Sequence, residues 1–313
     1  MIGYAGLRPG RGFQPGRAAL YYAQRLAVRP SIRRSIARTI ASAIRLQHGD
    51  GVAVEDDVNH DDIRTLEADG LVRLADTVVG SECAERLLNY FRSQRVSIHG
   101  KSVAVEEISA GEPMVPYPLS IVLANVDVRG ILTSPLVLDI AARYLGCRPT
   151  LSSLGVRWSF PTTKAADVTQ RFHRDPDDWR FLKLFVYLTD VTPNSGPHVY
   201  VKRSHRTAGQ LRSRFFAPED LRSDYGTESL EEITGPRGTT FIADTYGIHA
   251  GMIPQEAPRL ILQAQYSVLP VFAFRYEPIE INDWADCPDQ YVLRLLVSFT
   301  DRRSNKTLTA SGS

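Results

Sequence analysis

The spacing of apolar residues changes character near the middle of the chain. From 18 to 46 they recur every three to four positions, broken at Pro30; beyond it Ile32, Ile36, Ile40 and Ile44 fall on one i, i+4 line, with Arg33, Arg34, Arg38 and Arg45 off it. This predicts a basic amphipathic helix. The same period predicts helices over 61–69 and 81–94, the second with Ser81 as its N-cap, around a short strand at 71–74. Ser134 and Pro135 open another helix, and Gly146 closes it. After Pro149 the period shortens to two, and turn residues separate strands predicted at 151–160, 170–173, 182–188, 198–202, 231–235, 239–244 and 260–269. Helices first and about seven strands afterwards predict a mostly β fold with bracing α-helices, an antiparallel barrel or jelly roll whose core spans about 150–270. No GxGxxG follows a strand and no Walker sequence occurs, which disfavours a doubly wound nucleotide fold.

Composition adds two constraints. The 313 residues are 43% hydrophobic and 23% charged, which excludes a fibre or a wholly disordered chain. The net charge of +2 conceals an asymmetry: the first 49 residues hold nine arginines and no Asp or Glu, so the rest carries about −7 by subtraction. Residues 1–50 are therefore read as a basic Arg-rich arm with an amphipathic helix, and 51–313 as one domain. Gly, Pro and Arg dominate 3–17, a run without apolar period that is expected to be flexible. For the helix that follows, the readings are peripheral docking on an anionic membrane, nucleic-acid contact, a transit segment, or packing of the Ile stripe on the body. Packing is preferred, because 32 of the 37 basic residues are Arg, so arginine partly reflects general usage. No run of 18 apolar residues and no secretory signal occurs. Cys83, Cys147 and Cys287 form neither a metal pattern nor a disulfide framework, and a cytoplasmic location is expected.

The chemistry concentrates in two places. In an extended strand His173 and Asp175 leave the same face, and His249, arriving on a neighbouring strand, would complete three donors on one side of a metal. Two histidines and one carboxylate suit Fe(II) with open positions for a chelating oxoacid and O2. Three-residue patterns also arise by chance, and most histidines are structural. Arg259, ten residues after His249, raises the signal: a strand leaving the His249 turn would point its guanidinium into the barrel, where a planar fork binds a carboxylate; the alternative is an ion pair at the rim.

Phe172-His173-Arg174-Asp175, the runs from Lys183 to Val191 and from Gly196 to His205, and His249 with Arg259 give the chain, from about 60 to 270, a resemblance to the phytanoyl-CoA dioxygenase family of Fe(II)/2-oxoglutarate-dependent oxygenases. The resemblance implies a double-stranded β-helix, a cupin-like jelly roll, with iron on His173, Asp175 and His249 and the distal carboxylate of 2-oxoglutarate on Arg259. It implies oxidation of an unactivated C–H of a small-molecule substrate by O2, releasing succinate and CO2. Relatives that halogenate replace the carboxylate ligand by a small residue, so Asp175 favours hydroxylation. Two departures stand out: Ile261 where many relatives carry Ser or Thr, and Lys202-Arg203-Ser204-His205 where they read Pro-Gly-Ser-His.

Lys183, Phe185 and Tyr187 share one strand face, so Lys183 either meets the cosubstrate's other carboxylate or reaches water from a strand end. Trp179 and Tyr187 are candidate substrate contacts, whereas His198 and His205 are read as structural. The segments 164–170 and 206–228 are candidate lids. Two other classes compete: a binding protein that keeps the barrel without catalysis, which the complete His173, Asp175, His249 and Arg259 set disfavours, and an oxygenase directed to nucleic acid by the basic arm. An enzyme acting on small molecules is expected to keep turnover without residues 1–48; salt-steep binding lost on that deletion would mark a nucleic-acid partner.

Overall fold

The structure is a computed structural model describing residues 4–10, 12–49, 60–75, 78–108, 112–162, 168–209, 215–281, 284, 287 and 289–299. Helices α1 (Pro15–Leu26), α2 (Pro30–His48) and α3 (His60–Asp69) precede strand β1 (Leu71–Leu74). Helix α4 (Ser81–Ser93), the hairpin β2 (Val96–Ile98) and β3 (Lys101–Val103), and β4 (Met114–Pro116) come next, then α5 (Leu119–Ala124), α6 (Val126–Leu132) and α7 (Pro135–Leu145). The barrel strands follow as β5 (Thr150–Ser159), β6 (Phe181–Tyr187) and β7 (His198–Val201), then helix α8 (Pro218–Tyr225). The barrel continues with β8 (Leu230–Ile233), β9 (Thr240–Ala243), β10 (His249–Gly251) and β11 (Arg259–Ser267), and β12 (Ile279–Glu280), α9 (Gln290–Leu293) and β13 (Val297–Ser298) end the described chain.

Every pairing within the two barrel sheets is antiparallel. The larger sheet runs β1-β9-β6-β11-β5-β4 and the smaller β10-β7-β8. Phe185, Tyr187, Phe241 and Ile261 from the first pack with Tyr200 and Ile233 from the second, so the sheets close on a shared interior: a double-stranded β-helix. Strand β6 explains how the helices attach. All seven of its residues are buried; Phe185 and Tyr187 face the interior, while Leu182, Leu184 and Val186 enter a core shared with Leu87 and Phe91 of α4, Leu132 of α6 and Ile140 of α7. Gly146 ends α7 in the left-handed conformation (φ 77°) that its sequence position suggests. The cap of α4 falls one residue earlier than expected, on Gly80, with Ser81 already in the first turn and no side-chain cap.

The N-terminal segment departs most from expectation. The run expected to be flexible is anchored at Leu7 and Arg17 on the chain after β11, with residues 8–10 and 12–16 exposed between them: Leu7 and Ala18 pack with Val271 and Ala273, and Arg17 Nε donates to the Phe272 carbonyl at 2.6 Å. Helix α2 has the predicted period one residue out of phase. It buries Arg33, Ala37 and Ala41, with Ile40 and Ile44 half-buried beside them and Ile32 46% exposed. Small Ala side chains let the helix approach closely, and Arg33 reaches inward to donate to the carbonyls of Gln24 and Asp178, while Gln24 Nε2 donates to Asp178 Oδ1 at 3.0 Å. Removing residues 1–48 would take Gln24 from that carboxylate and leave it the N–H groups of Trp179 and Leu269 alone, so the shortened chain is expected to lose stability. Among the described residues no helix is long and apolar enough to cross a membrane.

Two stability predictions follow from these contacts. Arg203 sits at φ 65°, the left-handed region, where a Cβ is strained. Arg203→Gly is expected to stabilise the fold by about 1 kcal/mol, less the small contribution of an exposed ion pair to Asp69, as read from urea denaturation. Burial pushes Asp178 up to about 7 against the N–H groups of Leu269 and Trp179 and the charge of Arg33. A carboxyl that holds its proton more tightly folded than unfolded favours the fold at low pH. The stability difference between wild type and Asp178→Asn should therefore shift against wild type from about pH 4 to about pH 7, by up to about 1.4 kcal/mol per unit.

Candidate metal and carboxylate site

Strand alternation sorts the segment before β6. His173 and Asp175 point to the interior, whereas Arg174 points away and donates to the carbonyls of Ser204 and Tyr246, each at 2.8 Å, holding the segment from behind. His173 N donates to His249 O and His249 N to His173 O, both at 3.0 Å. Such a reciprocal antiparallel pair puts both side chains on one face, and the ring centroids lie 4.4 Å apart. Asp175 N donates to Thr245 O at 2.9 Å, which brings the carboxylate to the same point.

His173 Nε2 lies 3.4 Å from Asp175 Oδ1, and His249 Nε2 lies 3.3 Å from Asp175 Oδ2. One donor atom from each residue falls within 4.8 Å of the others. The far nitrogens are already engaged: His173 Nδ1 is 2.7 Å from Arg171 O and His249 Nδ1 is 2.9 Å from Gly247 O. A carbonyl can only accept, so each Nδ1 carries a proton, and Nε2 is the nitrogen that each ring leaves for a metal. Three converging donors on one side, with tautomers fixed from behind, fit a cation of the Fe(II) type.

Burial opposes charge throughout this group, and neighbours decide the outcome. For Asp175 burial works against ionisation, but Lys183, with Nζ 2.6 Å from Oδ2, and then His249 hold the carboxyl well below its ordinary value. Lys183 is itself disfavoured as a cation by burial, yet Asp175 and Asp177 outweigh this and raise it. His198 is driven well below the usual histidine value by burial and by His249, and is neutral.

Arg259, Arg157 and His198 line the same cavity of about 120 Å³ as the three donors, with Lys183, Phe185, Ile261 and Gln263. Arg259 is 3% exposed, and its Nε and Nη1 make no hydrogen bond among the described residues. Its Nη2 passes Gly251, where a Cβ would approach to 3.3 Å. Arg157 donates to Gln263 Oε1 at 3.2 Å; burial first, and then Arg259, lower it to about 10.

No family model matches the chain, and no curated protein matches it. Solved structures do. The non-heme alpha-ketoglutarate-dependent epimerase SnoN from nogalamycin biosynthesis is 21% identical over 66% of this chain and 79% of its own, with a TM-score of 0.46. HygX from Streptomyces hygroscopicus, solved with nickel and 2-oxoglutarate, is 15% identical over 74% of this chain and 94% of its own (TM-score 0.47). EctD from S. alaskensis, solved with 2-oxoglutarate and 5-hydroxyectoine, is 20% identical over 80% and 91% (TM-score 0.48). The donor set in this chain stands on its own distances.

Of the residues singled out from sequence, His173, Asp175, His249, Arg259 and Lys183 come together. Tyr187 does not reach the cavity: it is fully buried, donates to Ile233 O and accepts from His198 N, each at 2.9 Å. Trp179 lines a different cavity. Residues 164–167 and 210–214 of the two candidate lids lie outside the described residues; in the second lid, α8 is packed down through Leu221, and Phe216 bridges to Phe172. His198, read as structural, and Arg157 were missed as lining residues. The Ile261–Arg157 pairing across β11 and β5 was the signal for Arg157, since directly opposed residues share a face.

One Mn2+ or Ni2+ per chain is expected to bind in anaerobic titration. His173→Ala and His249→Ala should each weaken binding by about a hundredfold or more, while His198→Ala, which removes no donor, should change it by less than about threefold.

Proposed function

We propose that the chain is an Fe(II)- and 2-oxoglutarate-dependent oxygenase that oxidises an unactivated C–H of a small molecule. His173, Asp175 and His249 would hold the iron. Arg259 carries the reading: a guanidinium buried without an anion is costly unless a ligand brings the carboxylate, and this one shares a small cavity with a two-His-one-carboxylate set. With 2-oxoglutarate and O2, such an iron supplies a two-electron oxidant, and the cosubstrate leaves as succinate and CO2.

The chain's own residues do the positioning. Arg259 offers a fork to the distal carboxylate. The hydroxyl missing at Ile261 has a replacement candidate in Ser159, directly opposite Arg259 in the β5–β11 register, whose buried Oγ makes no hydrogen bond among the described residues. Lys183 would share Asp175 with a dication, a like-charge contact that an anionic cosubstrate carboxylate between them would relieve. Phe185, Ile261 and neutral His198 keep the surroundings poor in water, as a reactive oxidant requires. The retained carboxylate at 175 favours hydroxylation over halogenation. A cytoplasmic location and one catalytic domain over 51–313 complete the proposal, with α1 and α2 packed on it through Ala18, Gln24, Arg33, Ala37 and Ala41.

Anaerobic Fe(II) plus 2-oxoglutarate should give the weak visible metal-to-ligand charge-transfer band. Arg259→Ala should weaken 2-oxoglutarate binding by about a hundredfold and Ser159→Ala by about fivefold, both without loss of metal affinity. A wild type with no band, or an Arg259→Ala protein that binds 2-oxoglutarate unchanged, overturns the assignment.

A further inference from the structure

A second cavity, of about 380 Å³, lies where α2 meets the body, and it shares no lining residue with the metal site. Five arginines line it: Arg33, Arg34 and Arg38 from α2, Arg180 before β6, and Arg206 after β7. Two carboxylates face them, and both are engaged. Glu67 lies 3.4 Å from Arg180, and Asp244 accepts from Tyr144 Oη at 2.5 Å and from Tyr246 N at 3.0 Å. Arg33 spends its hydrogen bonds on carbonyls. The side chains of Arg34, Arg38 and Arg206 have no hydrogen bond or ion pair among the described residues, and Arg206 and Arg34 both help to hold His205, on the same wall, below its ordinary value after burial. The remaining titratable wall residues are Tyr144 and Tyr246.

Two further features select the ligand. Pro30 and Ser31, the first residues of the 19-residue α2, line the cavity, and this helix end has neither a side-chain cap nor an acidic residue in its first turn, so its positive pole is unopposed. On the other side stand Trp179 and Tyr246, with the Arg33 guanidinium 4.3 Å from the Tyr246 ring. Convergent guanidinium forks at an open helix N-terminus suit tetrahedral phosphate, and the aromatic wall suits a flat or apolar portion of the same molecule. The site is a concavity rather than a long basic stripe, and residues 50–313 carry about −7, which opposes a long polyanion.

We propose that this cavity binds a phosphate-bearing small molecule, with the phosphate on Arg34, Arg38 and Arg206 and its organic part against Trp179 and Tyr246. The proposal is independent of the iron chemistry and is tested without metal. Pyrophosphate titrated calorimetrically into the full-length protein at low salt should bind one equivalent. Arg34→Gln/Arg38→Gln, both exposed positions that leave the fold intact, should weaken it by about tenfold or more, whereas Arg92→Gln on α4, away from the cavity, should not. ADP, which adds a ring system, should bind more tightly than pyrophosphate, and Trp179→Ala should remove that difference. The proposal is overturned by the absence of binding at millimolar pyrophosphate, by equal affinity in the double variant, by equal weakening in Arg92→Gln, or by a chain that sediments with phosphatidylserine vesicles while ignoring pyrophosphate.

Discussion

Two backbone hydrogen bonds organise this molecule: the reciprocal pair between His173 and His249. They join residues 76 positions apart in the chain, and they fix the distance between two imidazoles before any ligand arrives. Everything that surrounds them serves the same alignment. The carbonyls of Arg171 and Gly247, each two residues upstream of its histidine, set the ring protons, and the Asp175–Thr245 bond carries the register on to the carboxylate. Because the alignment is made from main chain, it does not depend on a ligand to hold it open.

The interior beside this pair is electrostatically unbalanced in a purposeful way. Arg259 and Arg157 bring two guanidinium groups into a small volume, while the acidic groups near the metal donors are occupied by Lys183. A purely structural core would match these charges or replace them with apolar residues, since unpaired buried ions are destabilising. An excess of buried cations at one end and a set of neutral or anionic donors at the other is complementary to a small dianion bridging to a dication. The adjoining apolar wall raises the strength of each of those interactions by keeping water out.

Much of this was legible in the sequence. Six of the seven period-two runs located barrel strands to within about two residues, whereas the run at 170–173 is a 3-10 turn ending at Gln170 followed by isolated bridges at Phe172 and His173; the division of β6 into a leucine face and a Lys183–Phe185–Tyr187 face is the one observed. The spacing of His173, Asp175, His249 and Arg259 pointed to one cavity, because strand geometry alone constrains where those side chains point. Other features had no local signal. Arg157 lies on a strand that reads as an ordinary alternation, and only its partner across the sheet shows that it faces inward. Strand β10 is three residues long, too short to carry a period. Packing of α2 on the body, the reading preferred from sequence, is what the structure has, but its buried face had no local signal: Ala37 and Ala41 are weakly apolar by sequence, yet they are what allows α2 to seat closely enough for Arg33 to be buried.

Arg33 and Gln24 grip Asp178, and Asp178 stands three residues from Asp175 on the same segment. The basic start of the chain is thus a brace for the segment that bears the carboxylate donor. A shortened protein designed on sequence likeness alone would begin after residue 50 and retain His173, Asp175, His249 and Arg259, the whole of the motif. It would lack the clamp that keeps the motif's middle member in place, so an intact motif and an intact site are different things in this chain.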